Sequence, residues 1–146
     1  MSVRVDFKTI KDNRKIISKN VSAGAKTAMT DVVDNLVKAS SGSAPHDKGI
    51  LEDAWSKEVG YDSTYRLFGK VSYSVTENGS GGGYNYAVKM HEGNYNLGEG
   101  SRRKSGGKGM SGRTYPVGKH FLSGVLEGER QAYTRHMEQG IKKTLR

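Results

Sequence analysis

Hydrophobic residues recur every three or four positions along the first part of the chain, from about residue 12 to residue 39. This spacing places them on one face of an α-helix. Asp12 or Asn13 is suited to cap its start, and the small polar residues 40–42 predict its end. The sequence therefore predicts a long amphipathic helix with the stripe Ile17, Val21, Ala25, Ala28, Val32, Leu36 and Ala39.

The helical pattern stops in residues 43–51, and short runs of β-type residues follow. Pro45 fixes its own φ and disfavours the helical conformation for Ala44. Asp47 can accept a hydrogen bond from the backbone two residues on, and Gly49 can adopt a positive φ. This stretch therefore predicts the turn at which the chain passes from the helix to a sheet.

Two runs of aromatic and β-branched residues follow, at residues 54–59 and 65–75, and the polar residues 60–64 between them favour a hairpin. In the second run, every other residue from Leu67 to Val75 is apolar or glycine, which predicts a half-buried strand. We expect Trp55, in the first run, to belong to the core.

A third strand is predicted at residues 84–93, where Tyr86, Val88 and Met90 alternate with other residues. The glycine-rich residues 78–83 before it indicate a flexible connection that does not itself pack.

Glycine and positive charge are concentrated in residues 98–113, which hold six glycines, five basic residues and one acid, Glu99. This composition predicts a long loop without packed structure. It is either a passive surface loop or one that orders against nucleic acid or an acidic protein. A P-loop is excluded because Gly109 follows Lys108 where Ser or Thr is needed. The candidate binding residues are Arg102, Arg103, Lys104, Lys108 and Arg113.

A second helical period runs from Phe121, an expected core residue, to Leu145. The order of helix, strands and helix predicts an α+β fold in a single domain, residues 1–146. In it, a small, mostly antiparallel sheet packs against two long helices, one N-terminal and one C-terminal, and carries the long Gly-rich basic loop.

Composition narrows the function further. The chain has no cysteine, which excludes a disulfide framework and a zinc ribbon. No apolar run approaches the ~18 residues that span a membrane, so a soluble protein is expected. The net charge of +9 favours nucleic acid, anionic surfaces or acidic proteins as partners.

No set of residues in the sequence predicts catalysis, and no cofactor or metal is predicted. His91-Glu92 lacks the second histidine of a metalloprotease helix, because residue 95 is Tyr. The four histidines lie far apart in sequence, so only spatial convergence could make a site of them. No Gly-x-Ser-x-Gly joins a predicted strand to a helix. An enzyme is therefore not expected.

Three motifs in order, flanked by helices, resemble the tail-completion or minor capsid family of tailed bacteriophages, over residues 20–146. They are Ala44-Pro45-x-Asp47-x-Gly49-x-Leu51, Tyr86-Ala87-Val88-x-x-His91-Glu92-Gly93 and Val117-Gly118-Lys119-x-Phe121-Leu122. The resemblance implies structural turns at Pro45, Asp47, Gly49 and Gly93. Pro116 stands one position earlier than the family pattern, and the basic insertion is longer than in many members.

The resemblance implies a structural virion protein without catalytic residues, assembled in the host cytoplasm. Copies would form a ring, of roughly six or twelve subunits, that joins the tail to the head connector around the DNA channel. Its partners would be connector, terminator or tail-tube proteins, with non-specific DNA contact in the lumen. The alternative is a free-standing basic nucleic-acid-binding module.

Overall fold

The computed structural model describes residues 1–6, 19–46, 49–79 and 82–145. These residues form an α+β fold with a small antiparallel sheet and long N- and C-terminal helices, which confirms the predicted class. No helix in the described ranges is long and apolar enough to cross a membrane. In chain order the elements are β1 Ser2–Asp6, α1 Lys19–Ser43, β2 Trp55–Tyr61, β3 Leu67–Tyr73, β4 Thr76–Gly79, β5 Gly82–Asn85, α2 Tyr86–Glu92, α3 Glu99–Arg102, β6 Gly107–Lys108, β7 Thr114–Tyr115 and α4 Ser123–Lys143.

The main sheet has three antiparallel strands in the order β1–β3–β2. The predicted half-buried strand is confirmed, because alternate residues of β3 from Leu67 to Tyr73 are buried. The predicted hairpin is confirmed as well, since β2 and β3 pair across the turn at residues 62–66. Strand β1 pairs with β3 but was not predicted, although Val3 and Val5 alternate with polar residues along it.

Helix α1 packs directly on the sheet, and α4 packs along α1. Met29 and Val33 of α1 lie over Gly69 of β3, where a Cβ would come within 2.4 Å of Val33 Cγ2. Small residues allow the two helices to approach closely, since a Cβ on Gly140 would lie 2.6 Å from Ala28 Cβ. The core lies between these layers, and it includes Phe121 as expected.

The predicted end of α1 at residues 40–42 is wrong, because the helix continues to Ser43. Ser40 is fully buried, and its hydroxyl hydrogen-bonds to the Leu36 carbonyl at 2.6 Å and to the Tyr73 hydroxyl at 2.8 Å. A serine that bonds back to its own helix can remain helical in a buried setting. The predicted start, at Asp12 or Asn13, lies outside the described residues.

The prediction that Trp55 belongs to the core is also wrong, since 38% of this residue is exposed. Strand β2 is an edge strand of the sheet, and it also contacts α1. There Lys57 pairs with Asp34, and the Tyr61 hydroxyl donates to the Ser22 carbonyl at 3.2 Å. Part of the Trp55 side chain is therefore left in solvent at the edge of the sheet.

The predicted third strand is wrong, because residues 86–92 form helix α2. The Asn85 side chain accepts hydrogen bonds from the backbone N–H groups of Ala87 and Val75, so it caps the helix and fixes its entry. Ala87 and His91, four residues apart, are the buried pair. The preceding connection, expected to be flexible, contains the paired strands β4 and β5.

The hairpin turn between β2 and β3 depends on the Asp62 carboxylate. Its Oδ1 accepts from the Thr64 hydroxyl at 2.7 Å, the Arg66 N–H at 3.0 Å and the Thr64 N–H at 2.9 Å. These bonds, with the nearby Arg4 charge, lower the pKa of Asp62 from 3.8 to about 2. The ionised form therefore stabilises the folded state above pH about 4, and this contribution is lost as the pH falls toward 2.

We expect Asp62→Ala to be less stable than the wild type at neutral pH. The difference in the free energy of unfolding between the two proteins should become smaller in acid. The physical reason is that protonation removes the same hydrogen bonds from the wild type that the substitution removes. Urea unfolding of both proteins at pH 7, 4 and 2 measures the difference. A deficit that is the same at all three values would contradict this assignment.

Candidate functional site

The basic residues 98–113 are folded, which corrects the prediction of a loop without packed structure. Helix α3 opens the segment, and β6 pairs with β7 across a tight turn. Ser101, Gly107 and Gly109 are buried. The glycines permit close backbone contact with α1 and α4, so here they serve packing rather than mobility.

Strand β6 lies against the last turns of α1. A Cβ on Gly107 would lie 1.7 Å from the Ala39 carbonyl oxygen. The buried Ser43 hydroxyl accepts from the Gly107 N–H and donates to the Tyr115 carbonyl, both at 3.2 Å. One α1 side chain therefore holds both strands of the β6–β7 hairpin.

The tip of the hairpin is anchored to α4 by Glu129, which is fully buried. Its carboxylate accepts from the Ser111 N–H at 2.7 Å, the Ser111 hydroxyl at 2.5 Å and the Tyr115 hydroxyl at 2.8 Å. Burial raises the pKa of Glu129, but these hydrogen bonds together lower it by more than burial raises it. Its pKa therefore lies below the ordinary 4.5. Burial and the Glu129 charge raise the pKa of Tyr115 to about 12.

Glu129 was not among the residues predicted to be buried. The signal was present, because Glu129 lies four residues from both Val125 and Tyr133, on the apolar stripe of the C-terminal helix. An acid in such a stripe indicates a buried carboxylate with internal partners.

Of the five predicted binding residues, Lys104 makes contacts within the protein that stabilise the fold. Its ammonium group donates to the carbonyls of Ser41 at 3.0 Å and Ala44 at 2.5 Å, and it lies 3.2 Å from Glu52 Oε1. Only 18% of its side chain is exposed. Lys104 thus satisfies carbonyls at the C-terminal end of α1, where a cation also complements the helix dipole.

The other four basic residues are exposed to solvent. Arg102 and Arg103 lie at the end of α3, and Arg103 forms an exposed ion pair with Glu99 at 2.5 Å. Lys108 and Arg113 lie on the hairpin, where the Arg113 guanidinium is 5.6 Å from the centroid of the Tyr115 ring. These four residues, which we call the basic surface, are accessible to a polyanion.

The predicted turn residues have distinct positions. Pro45 is buried two residues beyond α1, and Gly49 has the positive φ that was predicted, +77°. Gly93 ends α2 with φ −77°, and its N–H donates to the Lys89 carbonyl at 2.8 Å. Asp47 lies outside the described residues.

The second and third sequence motifs meet beside Ser43, the residue that precedes the first motif, and we call this place the motif junction. The Gly118 N–H donates to the Ser43 carbonyl at 3.0 Å, and the His120 N–H donates to the His91 carbonyl at 2.9 Å. The Phe121 ring packs edge-on against the rings of His91 and Tyr73, with centroids 5.3 and 5.1 Å apart.

Two histidines and a glutamate converge beside this junction, although His120 is distant in sequence from the adjacent pair His91 and Glu92. His91 Nδ1 lies 2.6 Å from Glu92 Oε1, and His120 Nδ1 lies 4.0 Å from Glu92 Oε2. The hydrogen bond from His91 and the charges of nearby basic groups lower the pKa of Glu92. The Ser123 N–H donates to His91 Nε2 at 3.2 Å. This is the spatial convergence that the sequence could not predict.

No protein-family model, curated protein or solved structure matches this chain.

Proposed function

We propose that this protein is a structural component of a phage virion that forms a ring at the neck, where the tail joins the head connector. The observation that carries the proposal is the motif junction. The three motifs behind the family resemblance are separated by up to about 70 residues in sequence, yet their buried members Leu51, Ala87, His91, Phe121 and Leu122 all belong to the interior of one domain. A shared structural role explains why such short motifs occur together.

Exposed aromatic residues on the β2–β3 hairpin favour assembly with other copies. Trp55, Tyr61 and Tyr65 are 38%, 41% and 77% exposed. Large aromatic side chains are enriched at the centres of protein interfaces, where they lose contact with water. In a ring, this hairpin would contact the neighbouring subunit.

The basic surface suits the lumen of such a ring. The four residues Arg102, Arg103, Lys108 and Arg113 present positive charge to solvent, and contacts from such side chains to DNA phosphates would be indifferent to sequence. Each neutralised phosphate releases counterions, which makes such contact strongly dependent on salt.

The first test is the size of the purified protein across a range of concentrations, by native mass spectrometry and negative-stain imaging. We expect closed rings at high concentration. Tyr65→Ser should shift the equilibrium to monomer with little change in melting temperature, because this residue is 77% exposed. Leu145→Ser, at a 70% exposed residue near the C-terminal end of α4, is the matched control. A protein that remains monomeric at all concentrations, with and without DNA, would contradict the ring.

The alternative is a free-standing nucleic-acid-binding module, which the four exposed basic residues favour. In that case, monomers would bind short duplex DNA, and Lys108→Gln or Arg113→Gln would each reduce the salt dependence of log K by roughly one unit of slope. Lys142→Gln, on the exposed end of α4, is the control. Monomeric binding of this kind, without rings at any concentration, would favour the module over the virion protein.

A further inference from the structure

The convergence of His91, Glu92 and His120 has the geometry of a metal site. One ligand atom from each residue lies within 4.8 Å of the other two. No other three His, Cys, Asp or Glu residues in the described ranges lie this close together. Glu92 and His120 are exposed, whereas His91 is buried. The cluster therefore has one buried ligand, His91, and two ligands, Glu92 and His120, on a side open to solvent.

The backbone holds His120 in place for this role. His120 has φ +60°, and Tyr65 is the only other non-glycine residue in the described ranges with a positive φ. The His120 N–H donates to His91, and its carbonyl accepts from Gly124 at 2.8 Å. Such strain concentrates at functional positions. With this backbone conformation, the centroid of the His120 ring lies 5.3 Å from that of the His91 ring.

The hydroxyl of Ser123 is placed to support His91 as a metal ligand. A histidine that binds a metal through Nδ1 carries its proton on Nε2, and it normally donates that proton to an oxygen. His91 Nε2 lies 3.1 Å from Ser123 Oγ, which can accept it. The Ser123 N–H, which would then lose its acceptor, belongs to the first turn of α4, where N–H groups have no partner within the helix.

We propose that His91 Nδ1, a Glu92 carboxylate oxygen and His120 Nδ1 bind a divalent transition metal of the zinc type. Imidazole and carboxylate are ligands that zinc accepts, and two histidines with one glutamate leave a fourth position open. The positive charge of nearby Lys119 opposes a bound cation. A bound metal would link α2 to the segment that leads into α4, and thereby two of the three sequence motifs.

The test uses the full-length chain, purified without a histidine tag and treated with a chelator. Titration with zinc chloride, followed by calorimetry, should show one zinc per chain, and zinc should raise the melting temperature. His120→Ala and Glu92→Gln should each abolish this binding while the metal-free melting temperature changes little. His91 is left unchanged because its buried ring packs on Phe121.

Two other histidines provide matched controls, since each pairs with a single carboxylate. His46 Nδ1 lies 2.5 Å from Glu52 Oε1, and His136 Nε2 lies 2.9 Å from Asp31 Oδ2. His46→Ala and His136→Ala should leave the zinc affinity unchanged. Absence of zinc binding by the wild type would overturn the proposal, as would binding that survives in both His120→Ala and Glu92→Gln.

Discussion

Glu129→Ala should lower the free energy of unfolding by about 2–4 kcal/mol, because it removes the acceptor of the buried Tyr115 hydroxyl and of two Ser111 donors. Each unsatisfied buried donor costs roughly 1–3 kcal/mol, and the Tyr115 hydroxyl and the Ser111 N–H and hydroxyl all depend on this carboxylate. The loss should spread to the β6–β7 hairpin, which Glu129 joins to α4. Urea unfolding at pH 7 measures the change in stability.

The matched control is Glu127→Ala, two residues away on the same helix. Glu127 is 69% exposed and pairs with the similarly exposed Arg130, so its loss should cost less than about 0.5 kcal/mol. The two variants should also differ in acid. Since the pKa of Glu129 is lowered in the folded protein, the deficit of Glu129→Ala should shrink as the pH falls below about 4.5. Equal stability of the two variants at pH 7 would show that the carboxylate is not needed for the fold.

Patterns that report on one element at a time predicted much of this fold. The apolar stripe of α1 and the alternation along β3 each depend on which face of an element is buried, and both were read correctly. The helical conformation of residues 86–92 was not predicted, because three alternating apolar residues indicated a strand. A single side chain, Asn85, caps this segment and stabilises it as a helix. Short segments carry too few periods for alternation to decide.

The candidate site was less predictable, because it depends on contacts between distant segments. The composition of residues 98–113 predicted exposed charge correctly for Arg102 and Lys108, for example. It did not reveal that Lys104 satisfies the end of α1, a contact across about 60 residues of chain. His91 and His120 likewise meet only because the motif junction brings α2 and α4 together. Such contacts are properties of tertiary packing and leave no local pattern.

The second large effect is expected for Gly107→Ala, in which one methyl group should destabilise the protein by about 1–3 kcal/mol. The added carbon would lie 1.7 Å from the Ala39 carbonyl oxygen and 2.8 Å from Ser43 Oγ, so β6 would have to move away from α1. That movement would break the hydrogen bonds from Ser43 to both strands of the hairpin. The same change should weaken DNA binding, because it displaces Lys108 and Arg113 without removing any charge.

Gly98→Ala is the control for this variant, because it adds the same methyl group to the same segment. No atom lies within 4 Å of a Cβ on Gly98, and its φ of −72° suits any residue. We therefore expect its stability to remain within about 0.5 kcal/mol of the wild type. Thermal unfolding, with DNA binding measured at one fixed salt concentration, compares the two variants. If Gly107→Ala matched Gly98→Ala in both measurements, the hairpin would not be packed on α1, and its basic residues would belong to a mobile loop after all.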